Sequence, residues 1–474
     1  MTNKPTVRAR SGAHQTLEKH APKAAYQQTD LSSLSPYMFL MMMRNVTSDG
    51  FVLEDPMSPG HYSQPGCVIA APSFPANTPG VDQNYVFNWV RDAAITALEI
   101  AAANLPAMPD GGGVQALNDY VTFAALCQSN ATPTMGHACY SITGKARPWS
   151  EQNDGPAIQS IAMMQAYSQL DAATQAIARQ VIEKNVAYLL GCYKDPTTNL
   201  WEEHVAQSFF ARSMQLRCFK DYSANTLGMP VATEVAAAIT WMEAALQDHW
   251  NGTLYLSMLS SEAGKSAVAD DLGYDPNIDI VSAAVYGNLP LSDTRILATA
   301  GLMRAAWADP ASDAVFPINV ADAARNLGPL MGRYPGDTYD GDVAHPVRGG
   351  HPWPLCTANF AELYYKLALD VETSQSVPLD DLSTPFFAQV GITSASAVAD
   401  AVSALRSAGD AMMRAVVSHS DHYELSEQYD GTDGFEKSVR DLTWSYAAFL
   451  SALRARAARP PRAEKTTAKR AKKA

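Results

Sequence analysis

The stretch SEQYDGTDGFEKSVRDLTWSYAAF, residues 426 to 449, changes character along its length. Its first part is dense in Asp and Gly, the residues of turns and tight loops. Its second part is aromatic and alanine-bearing, which suits a buried helix. The passage predicts a polar loop carrying Glu427 that runs through Ser438, Asp441 and Trp444 into an aromatic helix. Asp430, Asp433 and Glu436 offer oxygen ligands for calcium, but their spacing is not that of an EF-hand loop.

The same alternation of loop and helix extends outward. Ile177, Val181, Val186 and Leu189 share roughly one helical face, and Val398, Val402, Leu405, Met412 and Val416 repeat the pattern. Stretches 230–248, 296–307 and 355–371 are rich in Ala and Leu and also read as helix. Period-two alternation is scarce; the one short strand expected is Gly66 to Ala71. Loops 49–84, 128–156 and 332–354 are long enough to carry function.

With no composition break between 31 and 453, the chain reads as one all-α domain. Residues 1–30 read as a flexible lead-in, and 454–474 as a disordered, solubilising tail. That tail holds nine Lys/Arg and one acid, Glu464, a net +8 against −21 elsewhere.

The overall charge of −13 disfavours a nucleic-acid partner and suits a neutral ligand. Six cysteines without a CxxC pair suggest free thiols rather than a disulfide framework or a metal site. The first residues lack an apolar secretory core, and the run Tyr37 to Met43 is too short to cross a bilayer. A cytoplasmic monomer without membrane contact, metal or cofactor is the expectation.

Four further segments hold polar and aromatic residues that packing does not require: NYVFNWVRDAA (84–94), EQNDGPA (151–157), NLWEEH (199–204) and GRYPGDTYDGD…GGHPWPLCT (332–357). Each has a plain structural reading when taken alone. Asp92 suits the first turn of a helix, Asp154-Gly155-Pro156 suits a helix entry, and Glu202-Glu203 suits a solvated face.

Taken in order with 426–449, these segments resemble glycoside hydrolase family 15, the glucoamylases, over about Gly66 to Ala452. The resemblance implies an (α/α)6 barrel whose loops form a pocket at one end. It implies Glu202 as general acid and Glu427 as general base of an inverting hydrolysis, which needs two carboxyl groups about 6.5–9.5 Å apart. Beside Glu202, the like charge of Glu203 and the apolar wall of Trp201 favour the protonated form. Beside Glu427, Ser426, Gln428 and Tyr429 favour the charged form, with Ser438 and Tyr429 as its supports.

The family pattern also places Arg91 and Asp92 on the 4- and 6-hydroxyls of the terminal glucose. Arg333 holds hydroxyls across the first two subsites with Glu203 as its partner, the Leu200 carbonyl accepts, and Tyr85 stacks near the cationic sugar. Trp149, Trp201, Trp353 and Trp444 line the site or back it. The implied substrate is an α-glucan cut at α-1,4 and, more slowly, α-1,6 linkages.

Departures are visible. Asn199 stands where the family often has Asp, and Trp149 is one residue closer to the QNDGPA motif than expected. No starch-binding module is evident, which points to short soluble oligosaccharides or glycogen-like ends. Relatives acting on trehalose, isomaltose or dextran, or a non-catalytic glucan-binding protein, are the alternatives.

Overall fold

The computed structural model describes residues 30–55, 58–72, 84–104, 113–224, 227–269, 272–341, 349–395 and 397–460. In chain order the first helices are α1 (Ser35–Met43), α2 (Val90–Ala103), α3 (Val114–Ser129), α4 (Asp154–Ala166), α5 (Ala172–Cys192), α6 (Phe209–Ser223) and α7 (Thr233–Gln247). They are followed by α8 (Asp279–Tyr286), α9 (Thr294–Ala308), α10 (Pro317–Ala323), α11 (Pro354–Ser374), α12 (Thr384–Ala388), α13 (Val398–His419) and α14 (Thr443–Ala457).

Helices α2, α4, α6, α8, α11 and α14 each pack on the next, and α14 returns to α2, closing a ring. Helices α1, α3, α5, α7, α9 and α13 form a second layer outside it, and the chain alternates outer and inner until it closes. This is an (α/α)6 barrel; α10 and α12 are short additions.

The two layers differ in burial as their positions require. In α2 every residue from Val90 to Ala101 is buried, as is every residue of α14 from Thr443 to Leu453. A helix that is covered all round belongs inside a large core. In α5 the buried positions are Thr174, Ala178, Val181, Ile182, Asn185, Val186 and Leu189, one stripe at the helical repeat. In α13, Gly409 lets the backbone approach α11 closely: a Cβ there would lie 2.7 Å from the Tyr365 ring. Burying each large apolar side chain contributes about 1.5–3 kcal/mol.

Among the described residues, seven short strands serve as loop braces. They are β1 (Phe87–Trp89) on β2 (Cys139–Ser141), β3 (Thr197–Thr198) on β4 (Val205–Ser208) on β5 (Met258–Leu259), and β6 (Gln428–Tyr429) on β7 (Glu436–Lys437), all antiparallel.

Two expectations need correction. Gly66 to Ala71 forms no strand: Gly66 sits in a turn at φ +80°, Val68 makes an isolated antiparallel bridge with Val46, and Ala70 N–H reaches the Phe87 carbonyl at 2.9 Å. Helix α14 also continues past 453 to Ala457. Its end is tied down, since Arg454 bonds Glu99 and the Arg456 guanidinium grips Asp410 at 2.7 and 3.0 Å. Residues 1–29 and 461–474, where disorder is expected from composition, lie outside the described residues.

Candidate active site

The N-terminal ends of inner helices converge on one cavity of about 460 Å³. β1 delivers Trp89 to the cap position of α2, which puts Arg91 and Asp92 in the first helical turn with both side chains buried. Arg91 is held from behind: its Nη1 donates to Gln152 at 3.0 Å and to Asp154 at 3.3 Å, and its guanidinium lies 5.0 Å over the Trp444 ring. Its Nε stands 3.5 Å from Asp92 Oδ1, and neither atom has a hydrogen-bond partner among the described residues. Burial pushes the Asp92 carboxyl up to about 7; Glu202, Asp154 and Glu427 add to the shift while Arg91 opposes it.

Asn199 organises the tight turn that carries the paired acids. Its side-chain oxygen accepts from the backbone N–H of Glu203 at 2.7 Å and of His204 at 3.1 Å. Its amide donates to the Tyr274 hydroxyl, and its carbonyl accepts from Glu202 N–H at 3.1 Å and Gln152 Nε2 at 2.6 Å. Glu202 thereby sits at φ +66°, a left-handed conformation that is costly for a residue with a Cβ. Its two oxygens accept from two indoles, Trp89 Nε1 at 2.8 Å and Trp149 Nε1.

Glu203 does not stand as a free charge beside it. Arg333 Nη2 lies 2.9 Å from Glu203 Oε1, and the Tyr334 hydroxyl donates to Glu203 at 3.0 Å. Burial, opposed by Arg333, leaves the Glu203 carboxyl above its usual range. Trp201 gives its N–H to Asn277 at 2.9 Å and its ring lies against Trp353. The charge and wall expected to act on Glu202 are thus engaged elsewhere.

Glu427 follows from the β6–β7 register. Gln428 pairs with Lys437, so the preceding residue, Glu427, faces Ser438 across the hairpin, and Glu427 N–H donates to the Val439 carbonyl at 2.8 Å. Ser438 Oγ donates to Glu427 Oε2, the Tyr339 hydroxyl reaches the same oxygen at 3.1 Å, and the Tyr85 hydroxyl reaches Oε1 at 2.8 Å. Burial pushes this carboxyl above its usual range, against the pull of those three hydroxyls.

The supports expected from neighbours in sequence need correction. Tyr429 is fully buried, with its hydroxyl on the Val416 carbonyl at 3.0 Å, and Ser426 donates to the Gln428 carbonyl. Tyr429 is therefore a core residue packed toward α13 and makes no bond to Glu427.

The Tyr85 and Trp89 rings lie 5.7 Å apart, one bonded to Glu427 and the other to Glu202. The two acids therefore face one cavity from opposite members of a single aromatic pair. Arg333 grips Asp337 at 2.8 and 2.6 Å and lies over the rings of Trp201, Tyr334, Tyr339 and Trp353. Leu200, Trp353 and Trp444 complete the buried wall. Trp149 is half exposed at the mouth, with the Arg147 guanidinium stacked 4.1 Å from its ring and 4.2 Å from Phe87.

Tyr339, Trp89 and Arg147 were absent from the expected set. Tyr339 lies within the quoted GRYPGDTYD segment, so position in a motif was the signal available for it.

The chain's sequence matches the model of glycosyl hydrolases family 15 over residues 41–454. It is 25% identical over 437 residues to a glucoamylase of Blastobotrys adeninivorans, covering 83% of this chain and 67% of that one. It is also 25% identical over 434 residues to a probable glucoamylase of Schizosaccharomyces pombe, covering 87% and 88%. In fold it is similar to the glucoamylase of Hormoconis resinae, with a TM-score of 0.73 at 22% identity over 92% of this chain and 77% of that one. With the family model spanning nearly the whole described barrel, this chain belongs to glycosyl hydrolase family 15.

Proposed function

We propose that the protein is an inverting, exo-acting α-glucan hydrolase of glucoamylase type. It releases β-D-glucose from non-reducing ends, cutting α-1,4 linkages and, more slowly, α-1,6 linkages. The observation that carries this reading is the cavity itself. Two carboxyl groups, Glu202 and Glu427, flank it, and Arg91, Asp92 and Arg333 line it with them. Sugar hydroxyls supply the matching donors and acceptors, and a charged site built for hydroxyls discriminates strongly against sugars that lack them. The names of the relatives point the same way.

In this reading Glu202 gives its proton to the glycosidic oxygen as the bond from that oxygen to the anomeric carbon breaks. Glu427 takes a proton from a water that attacks the opposite face, so each carboxyl changes protonation once per cut. The hydroxyls of Tyr85, Tyr339 and Ser438 hold Glu427 in one orientation. Arg91, Asp92 and Arg333 orient the sugar, and positioning of this kind accounts for a large share of such rate enhancements.

The test is turnover of maltose, isomaltose, trehalose and soluble starch by wild type, Glu202→Gln and Glu427→Gln. Maltose and starch should be cut, and each variant should lose at least about 10²-fold in kcat. Wild-type rates in either variant, or cleavage of trehalose alone, would overturn the reading.

A further inference from the structure

Lys437, Asp340, His351 and Asp430 form a compact cluster behind the candidate base. Lys437 Nζ lies 2.5 Å from Asp340 Oδ1 and 3.5 Å from Asp430 Oδ2. His351 Nε2 lies 2.6 Å from the same Asp340 oxygen, and its Nδ1 accepts from Gly431 N–H at 3.1 Å. This pattern fixes the neutral imidazole with its proton on Nε2, and burial together with Lys437 lowers its pKa in keeping with that form.

Each member of the ion pair adjoins a residue that bonds Glu427. Asp340 follows Tyr339 and Lys437 precedes Ser438, so the ion pair joins the 337–341 loop to the β6–β7 hairpin. The Gln428 side chain bonds the Tyr339 carbonyl at 3.0 Å between the same two segments. Glu427 itself is faced by Tyr85, Tyr339, Ser438, Arg333 and, from α2, Asp92.

We propose that the Lys437–Asp340–His351 cluster is a positioning clasp, which keeps the Tyr339 and Ser438 hydroxyls aimed at Glu427 and so sets the orientation and charge of the candidate base. The proposal rests on the reading of Glu427 as that base. A hydrogen bond to the charged carboxylate favours its ionised form, so a slack loop returns Glu427 toward the protonated form that burial favours. A partly exposed ion pair adds little to stability, so the clasp acts through geometry.

The experiment compares wild type, Lys437→Met, Lys437→Arg and Asp340→Asn. One arm follows the Glu427 carboxyl by carbon-13 NMR titration, with Glu427→Gln assigning the resonance. The other arm measures kcat and KM on maltose across pH.

In K437M and D340N the Glu427 midpoint should rise by about one pH unit. The acidic limb of kcat/KM should follow it, and kcat should fall about tenfold while KM changes far less. K437R should restore most of each effect, and melting temperatures should stay close to wild type. An unmoved midpoint in both variants would overturn the clasp. An inactive wild type with a shifted midpoint would instead refute the hydrolase reading and leave the clasp standing.

Discussion

Asn199→Ala removes the groups that shape the acid's turn, and its cost can be worked from the structure. The Asn199 side chain serves the N–H of Glu203, the N–H of His204 and the Tyr274 hydroxyl, and it is fully buried. Each buried polar group left without a partner costs about 1–3 kcal/mol. Three coupled losses therefore destabilise by about 3–6 kcal/mol once non-additivity is allowed for. An unfolding entropy of about 2 cal/mol/K per residue gives a domain of this size roughly 0.9 kcal/mol/K, so melting should drop by about 3–7 °C.

Activity should suffer more. Glu202 is held at φ +66° by this turn, and a slackened turn lets it relax toward an ordinary conformation, off Trp89 and Trp149. A misplacement of about 1 Å can cost about 10²-fold in rate. Asn199→Asp is the companion variant. It keeps an acceptor for both N–H groups, and the Tyr274 hydroxyl can turn to donate, so it should recover most of the lost melting temperature. The assay is kcat and KM on maltose alongside thermal melting. A kcat within twofold of wild type and an unmoved melting temperature in Asn199→Ala would refute the reasoning.

Three further outcomes follow. Tyr85→Phe removes one donor from Glu427, so the acidic limb of the kcat/KM profile should move to higher pH and kcat should fall; an unshifted limb would contradict the bond's role. Arg333→Met strands Glu203 and Asp337, and breaking a buried pair in this way costs about 3–5 kcal/mol, readable by denaturant titration; Arg333→Lys should rescue it poorly, because an ammonium cannot fork onto Asp337. Burial pushes the Asp279 carboxyl up to about 8, so the folded state holds a proton that the unfolded chain releases between about pH 4 and 8. Stability should therefore fall as pH rises through that window, and Asp279→Asn should flatten the fall in melting temperature between pH 5 and 8.

The barrel's outer layer was the part most open to reading from sequence. α5 and α13 bury one face and announce themselves by periodicity. Inner helices such as α2 and α14 are buried all round, so no stripe marks them; the first-turn acid Asp92 is the signal for α2 and the aromatic content of 443–449 the signal for α14.

The site was legible where residues adjoin in sequence and obscure where folding joins them. The Arg333–Glu203 pair, although distant in sequence, is given by the family resemblance and not by any local spacing. The Tyr339 and Tyr85 hydroxyls on Glu427 come from segments far along the chain, and no local spacing reveals them. Tyr429 misled because closeness in sequence to Glu427 does not fix where its hydroxyl goes, which is the buried Val416 carbonyl. The departure at Asn199 has a structural account: an amide offers an acceptor to two N–H groups and a donor to Tyr274.

In the proposed hydrolysis Glu202 and Glu427 work from opposite faces of one sugar, with water attacking from the Glu427 side. Proton NMR of the first glucose released from maltose, recorded before mutarotation, tests it most directly. The β-anomer should be in excess at the earliest times. Initial release of α-glucose would mean attack from the same face and would contradict it.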